Sequence, residues 1–177
     1  MKIALTGTPG TGKTSVAELL RKKGYKVERF DEIGKDYIIG YDKERGCNIV
    51  DVESIDNIFS KKKEKGILFI EGHLSHLLSV DIAIILRCNP YELEKRLKKK
   101  GWNKRKIMEN VEAEALDIIL CQACNIHGEE SVFEIDTTGK KTEEVVMELE
   151  KMIKKGFKEK QKRVDWSEWL MENAGQI

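Results

Sequence analysis

Gly7-Thr8-Pro9-Gly10-Thr11-Gly12-Lys13-Thr14 is the stretch on which the reading of this chain turns. It fits G-x-x-x-x-G-K-[ST] at every fixed position. The pattern answers a physical demand. A triphosphate carries several negative charges, and glycines let backbone N–H groups converge on its oxygens without side chains in the way. A helix starting near Gly12 adds the positive end of its dipole. Lys13 supplies a mobile cation for the β- and γ-phosphates. Thr14 places a hydroxyl for Mg²⁺, and Ser15 is set to meet an α-phosphate. A glycine-rich turn that binds nothing would satisfy the same letters, so the flanking sequence has to decide.

Upstream, Lys2 to Thr6 reads as a buried strand. Downstream, Val16, Leu19 and Leu20 fall at i, i+3 and i+4, one face of a helix that Gly24 ends. The setting is therefore strand, loop, helix, as phosphate binding requires. Tyr25 to Phe30 predicts a second strand, and residues 31–50, interrupted by Gly34, Gly40 and Gly46, read as irregular. Val52, Ile55 and Phe59 mark a helix that the polar run 61–66 closes. Ile67 to Ile70 and Ile82 to Leu86 are continuous apolar runs, expected of parallel strands covered on both faces. Asn89-Pro90 opens a helix to about Lys100. A longer helix is expected over 104–124, then a strand from Ser131 to Ile135. Leu149, Met152, Ile153 and Phe157 line a late helix, and Trp166, Trp169 and Leu170 repeat helical spacing near the end. Strands alternating with helices predict an α/β, three-layer P-loop fold. Its five-stranded, mostly parallel sheet carries helices on both faces.

At 177 residues the chain is expected to form a single domain, 1–177. Lys plus Arg is 32 and Asp plus Glu is 31, a net charge of +1 that excludes a uniformly basic nucleic-acid binder. Charged residues make up 36%, yet 40% hydrophobics still supply a core. No run approaches the roughly 18 apolar residues of a membrane span, so no membrane partner and a cytoplasmic location are expected. Cys47, Cys88, Cys121 and Cys124 are then expected to be free thiols. Cys121-x-x-Cys124 with His127 lacks a fourth ligand at a familiar spacing, and packing is the expected role. The stretch 151–163 holds seven Lys or Arg and a single Glu. It reads as a solvated face or a phosphate-binding surface.

A P-loop alone does not separate kinases, GTPases and motors. The size excludes a large motor, and no Asn-Lys-x-Asp motif of a GTPase occurs. A small kinase needs a second phosphate site and a cover that excludes water. Residues 30–53, with Lys35, Asp42, Arg45 and Asp51, lie where a monophosphate acceptor would sit. Residues 99–109 form a short basic connection suited to a lid. Lys100 and Arg105 are the lid cations expected to neutralise a migrating phosphoryl group, with Arg87 and Arg96 secondary. Arg87 reads equally well as a structural ion pair.

An ordered set of further motifs sharpens this. Gly40-Tyr41-Asp42, Cys47-Asn48-Ile49-Val50-Asp51, Glu71-Gly72-His73, and Arg87 through Arg96-Leu97 to Gly101-Trp102 follow the P-loop in sequence. Over residues 1 to about 120 the chain resembles the small adenylate kinase family of archaea and eukaryotic nuclei. The resemblance implies phosphorylation of AMP or related nucleoside monophosphates by ATP with Mg²⁺, and ATPase activity beside it. It also implies a part in maturation of the small ribosomal subunit and its rRNA, through a ribosomal protein of the uS11 class. By position it puts ATP on Gly10, Gly12, Lys13, Thr14, Ser15 and Lys100, where the family commonly has Arg. It puts the monophosphate near Lys35, and the 30–53 segment adds Asp42 and Asp51 as candidates for the same ligand. His73, with Lys13 and Arg105, becomes a catalytic candidate, acting on water for ATP hydrolysis. Thr14 and Glu71 become the Mg²⁺ contacts, the latter directly or through water, and many relatives carry Asp at that position. Two alternatives stay open: a nucleotide-gated assembly ATPase, and a P-loop kinase for another small metabolite.

Overall fold

The computed structural model describes residues 1–44, 46–159 and 163–175. Arg45 and residues 160–162 of the basic stretch lie outside the described residues. In chain order the first elements are β1 (Lys2–Thr6), α1 (Lys13–Lys22), β2 (Lys26–Arg29), α2 (Phe30–Ile33), β3 (Ile38–Asp42), β4 (Cys47–Val50) and α3 (Val52–Lys61). There follow β5 (Leu68–Glu71), β6 (Ile82–Arg87), α4 (Pro90–Lys99), α5 (Lys104–Ala115) and α6 (Ile118–His127). β7 (Val132–Asp136), α7 (Thr142–Lys154) and α8 (Ser167–Asn173) follow among the described residues.

The main sheet has five strands in the order β2-β5-β1-β6-β7, parallel throughout. Alternation along β1 sends Ile3 and Leu5 to one face and Ala4 to the other, and each face is covered. Val16 and Leu20 of α1 and Val146 and Leu149 of α7 pack on the first face. Leu120 and Ala123 of α6 pack on the second, as do Ile55 and Phe59 of α3 over the β5 side. β1 is central: the chain builds β2 and β5 on one side of it, then crosses to build β6 and β7 on the other. The crevice beyond its C-terminal end is where such sheets place ligands.

Three expectations from the sequence need correction. Residues 31–50 are not irregular: α2 runs into a 3₁₀ turn over Gly34–Tyr37, and β3 pairs antiparallel with β4 as a hairpin. The alternation of a half-buried strand is missing there, since Ile38, Ile39, Tyr41 and Ile49 are all exposed. The helix expected over 104–124 is two helices, broken at Leu116-Asp117, where Asp117 takes a left-handed φ of 56°. Phe157 lies past the end of α7, itself at φ 58°, and reaches the core by folding back against Phe133.

Beyond the ends of β6 and β1, α4, α5 and α8 make a smaller apolar cluster. Leu93 and Leu97 of α4, Ile107 and Val111 of α5, and Trp169 of α8 fill it. The helical stripe near the C-terminus therefore docks within the chain, against the α4–α5 corner.

Candidate active site

The loop after β1 takes the shape its glycines permit. Gly7 has a φ of 136°, and a Cβ there would stand 2.3 Å from the Leu86 carbonyl oxygen. Gly10 has a φ of 98° and would drive a Cβ to 2.8 Å from Leu93. Both positions exclude a side chain by backbone conformation and by space. Thr8 then anchors the turn, its carbonyl accepting from Thr11 N at 3.3 Å and Thr11 Oγ1 at 2.9 Å.

Lys13 is the first residue of α1, and its side chain folds back over the loop. Its Nζ donates to the carbonyls of Gly7 at 2.7 Å and Thr8 at 3.0 Å. Burial, which penalises the ammonium, lowers its pKa to about 8, with Lys100 adding repulsion and Glu71, Glu114 and Asp31 opposing. Thr14 and Ser15, next along the helix, are exposed. Thr14 Oγ1 donates to Glu71 Oε1 at 3.2 Å. Register explains the meeting: Glu71 ends β5 opposite Leu5 of β1, one residue short of the loop strand's end. Arg29, the last residue of β2, flanks the same carboxylate with Nε 3.5 Å from Oε2.

These groups open onto one cleft of about 980 Å³. Gly10, Gly12, Lys13, Thr14, Ser15, Glu71, His73, Lys100 and Arg105 all line it. Residues more than ninety positions apart in sequence thus share one space. His73 is exposed to the cleft. Desolvation of its ring, followed by the Lys13 charge, pushes its pKa below the ordinary histidine value, against a weaker pull from Asp31. Its backbone carbonyl accepts from Thr6 Oγ1 at 3.2 Å, which ties the turn after β5 to β1.

The α4–α5 corner forms the opposite wall. It supplies Arg96, Lys100, Trp102, Arg105 and Lys106. Lys106 Nζ stands 4.5 Å and Lys100 Nζ 6.0 Å from the Trp102 ring centre, so two ammonium groups flank one aromatic ring. Asn103 caps α5, accepting from Lys106 N at 2.9 Å. Arg105 reaches across the mouth, 3.6 Å from Glu44 in the β3–β4 turn, with both side chains largely in solvent. Such an exposed pair is weak.

Lys35, Asp42 and Asp51 do not line the cleft. Asp51 caps α3, its carboxylate accepting from Ser54 N at 3.0 Å and Ser54 Oγ at 2.7 Å, and these bonds hold its pKa low. Asp42 accepts from Glu44 N at 2.9 Å within the hairpin turn. Lys35 is exposed on the 3₁₀ turn. The segment 30–53 contributes Asp31, Glu44 and Cys47 to the lining instead.

Arg87 resolves to an ion network. It is buried and donates to Glu114 Oε1 at 2.7 Å, Glu134 Oε2 at 2.6 Å and the Asp117 carboxylate. Burial works against its charge, but the surrounding carboxylates outweigh that and raise its pKa above the usual guanidinium value. Arg96 does face the cleft, held by Glu92 and by Thr137, whose carbonyl accepts at 2.9 Å. Of the cysteine pair, Cys124 packs beside the second core face, whereas Cys121 is exposed. Asp31, Arg29 and Glu114 escaped the reading of the sequence. The signal available was position: Arg29 ends β2, and Asp31 lies two residues beyond it in α2.

Mg²⁺ is implied by the P-loop, and the residues fit it. Thr14 and Glu71 bring a hydroxyl and a carboxylate, hard oxygen donors, together at the end of the phosphate loop. One or two protein ligands, completed by phosphate oxygens and water, are what that ion ordinarily takes.

This loop, sheet order and cleft define a P-loop nucleotide-binding protein. A sequence-family profile described as "AAA domain" matches residues 3–117. A protein of Archaeoglobus fulgidus named "Putative adenylate kinase" is 48% identical over 171 residues, covering 94% of this chain and 92% of the relative. One of the same name from Thermococcus kodakarensis is 43% identical, covering 95% and 94%. The chain belongs to the AAA-domain family, and to the family of these archaeal relatives. Among solved structures, thymidylate kinase from Candida albicans has a TM-score of 0.52 at 15% identity, covering 88% of this chain and 91% of that one. TT1252 from Thermus thermophilus has a TM-score of 0.54 at 13% identity, covering 88% and 97%. These two likenesses bear on the fold.

Proposed function

We propose that this chain is an adenylate kinase, moving the γ-phosphoryl group of ATP to AMP or a related nucleoside monophosphate. The observation that carries the reading is the cleft itself. A phosphate loop on one wall faces Arg96, Lys100, Arg105 and Lys106 on the other, with the 30–53 segment at its mouth. Phosphoryl transfer needs chiefly positioning and charge neutralisation, and this arrangement supplies both. The name of the archaeal relatives, "Putative adenylate kinase", supports the same reading.

In this mechanism the N–H groups from Gly10 to Ser15 hold the β-phosphate, and the Lys13 ammonium leaves the Gly7 and Thr8 carbonyls for phosphate oxygens. Thr14 and Glu71 would hold Mg²⁺, which when bound supplies neutralisation of the β- and γ-phosphates. Lys100 and Arg105 bring charge to the migrating group as the 99–109 corner closes, excluding water. A single domain thus combines the phosphate loop with an acceptor segment over about 30–53 and a lid over about 99–109. ATP hydrolysis, with His73 orienting water at the end of β5, is a second activity of the same cleft. A role in small-subunit maturation through a uS11-class protein, in the cytoplasm, completes the proposal and rests on the family resemblance. Among the described residues no helix is long and apolar enough to cross a membrane.

The direct test is ADP formation from ATP plus AMP. Lys13→Ala should reduce turnover by about 100-fold or more, the scale of losing one charge-stabilising donor. Full turnover in that variant would defeat the model.

A further inference from the structure

Glu114 is a buried carboxylate placed beside a loop built to receive a polyanion. It is 2% exposed and lies next to the end of α5, the helix whose other end carries Arg105 and Lys106. Each of its oxygens has a distinct set of donors. Oε2 accepts from Thr8 Oγ1, inside the phosphate loop, at 2.5 Å. Oε1 accepts from Arg87 Nε at 2.7 Å, Cys88 N at 3.2 Å and Trp166 Nε1 at 3.3 Å. One oxygen thus grips the loop, and the other grips the end of β6 and the segment leading into α8.

Thr8 is the residue through which this grip reaches the chemistry. It is 2% exposed, and its hydroxyl points to Glu114. Its carbonyl holds Lys13 Nζ at 3.0 Å and Thr11 Oγ1 at 2.9 Å. A shift of Thr8 therefore moves the resting place of the lysine and the turn that aims the loop N–H groups. A buried carboxylate bonded to a loop that is to receive phosphates costs electrostatic energy unless it is paired, and Arg87 pairs it. Apolar packing would fill the same space without that penalty, so the carboxylate marks a need for directed bonds.

We propose that Glu114 is a positioning residue for the phosphate loop, fixing Thr8 and so tying the loop's geometry to the root of the lid helix and to the C-terminal helix. The inference rests on the nucleotide-binding part of the function proposed above. Its readout is the binding of each nucleotide as well as turnover.

The experiment compares wild type, Thr8→Val, Thr8→Ser, Glu114→Gln and the Thr8→Val/Glu114→Gln double variant. Dissociation constants for MgATP and for AMP are measured separately, with thermal unfolding of each protein and ADP formation from ATP plus AMP. Thr8→Val keeps the side-chain shape and removes the donor. It should weaken MgATP about tenfold and leave AMP within about twofold, on the scale of losing a hydrogen bond to a charged group. Thr8→Ser, which restores the donor, should recover MgATP binding to within about threefold of wild type. The double variant should bind MgATP no more weakly than the worse single one, because the two residues act as one unit. A lowered melting temperature with unchanged MgATP affinity in Thr8→Val would overturn the proposal in favour of a stabilising bond alone. Equal weakening of MgATP and AMP, or additive losses in the double variant, would overturn it too. Wild type that binds MgATP but makes no ADP from AMP would defeat the kinase reading, while the affinities would still decide the role of Glu114.

Discussion

In the proposed mechanism Lys13 has to be charged to hold phosphate, yet the loop buries it. That burial lowers its pKa from 10.5 to about 8. Below about pH 8 the lysine is already protonated and ready. Above it, ATP binding must recruit a proton, so affinity should hold to about pH 8 and then fall by at most about tenfold per unit. Titrating MgATP affinity from about pH 7 to about 9.5 checks this, and a flat profile would contradict it. The same shift acts on stability with the opposite sign. Between about 8 and 10.5 the unfolded chain binds the proton and the folded one does not, so this group makes the unliganded protein more stable as pH rises. For His73 the lowered pKa keeps the ring neutral near neutral pH, the form that accepts a proton from water. His73→Gly should lower ATP hydrolysis by at least about tenfold more than it lowers AMP phosphorylation, since only hydrolysis needs an oriented water. Parallel rate measurements read this, and equal losses would assign the residue a structural role.

At the scale of elements, α8 is the part whose role the chain order hides. Trp169 is 5% exposed and fills the cluster between α4 and α5, with the Tyr91 ring 6.3 Å away edge-on. Trp169→Ala should lower stability by about 3–5 kcal/mol through the cavity it leaves. Urea unfolding reads this as a lower midpoint at unchanged slope, and a change under about 1 kcal/mol would show that α8 is not needed to brace the corner. The stripe Trp166, Trp169, Leu170 was legible in the sequence, since helical spacing survives without a partner. Its partner was not, because a stripe states only that a face is apolar. The hairpin β3–β4 was less legible still. Its apolar residues lie on both faces and remain exposed, so no period of two betrays the strands. The break at Asp117 escaped because its cause is tertiary: Arg87 Nη2 bonds both the Glu114 carbonyl, at 3.1 Å, and the Asp117 side chain.

For the whole molecule, a net charge of +1 conceals a partition. Cations gather along the cleft wall opposite the phosphate loop, while carboxylates are held in pairs such as Arg87 with Glu114 and Glu134. Under the proposed mechanism, nucleotide would change the surface chiefly at the 99–109 corner and the hairpin, the parts a macromolecular partner would sense. If the chain serves ribosome assembly, retention of a uS11-class protein on immobilised chain should differ by at least about fivefold between ATP and ADP, the range of ordinary allosteric coupling. Equal retention with and without nucleotide would remove the gating role and leave the kinase reading untouched.

The sequence by itself determined the phosphate loop, the alternation of buried strands with amphipathic helices, and hence the α/β class with its parallel sheet. These are local properties: a glycine pattern, a lysine at a helix start and a hydrophobic period act over a few residues, and short-range geometry is written in short-range order. It also placed Glu71 and His73 at a strand end. Only the tertiary structure decided that Thr8 meets Glu114 across 106 positions, that Arg87 turns inward, and that Lys35, Asp42 and Asp51 stay off the cleft. Those outcomes depend on which charged groups become buried together. Desolvation then forces each one to find partners wherever the fold has brought them.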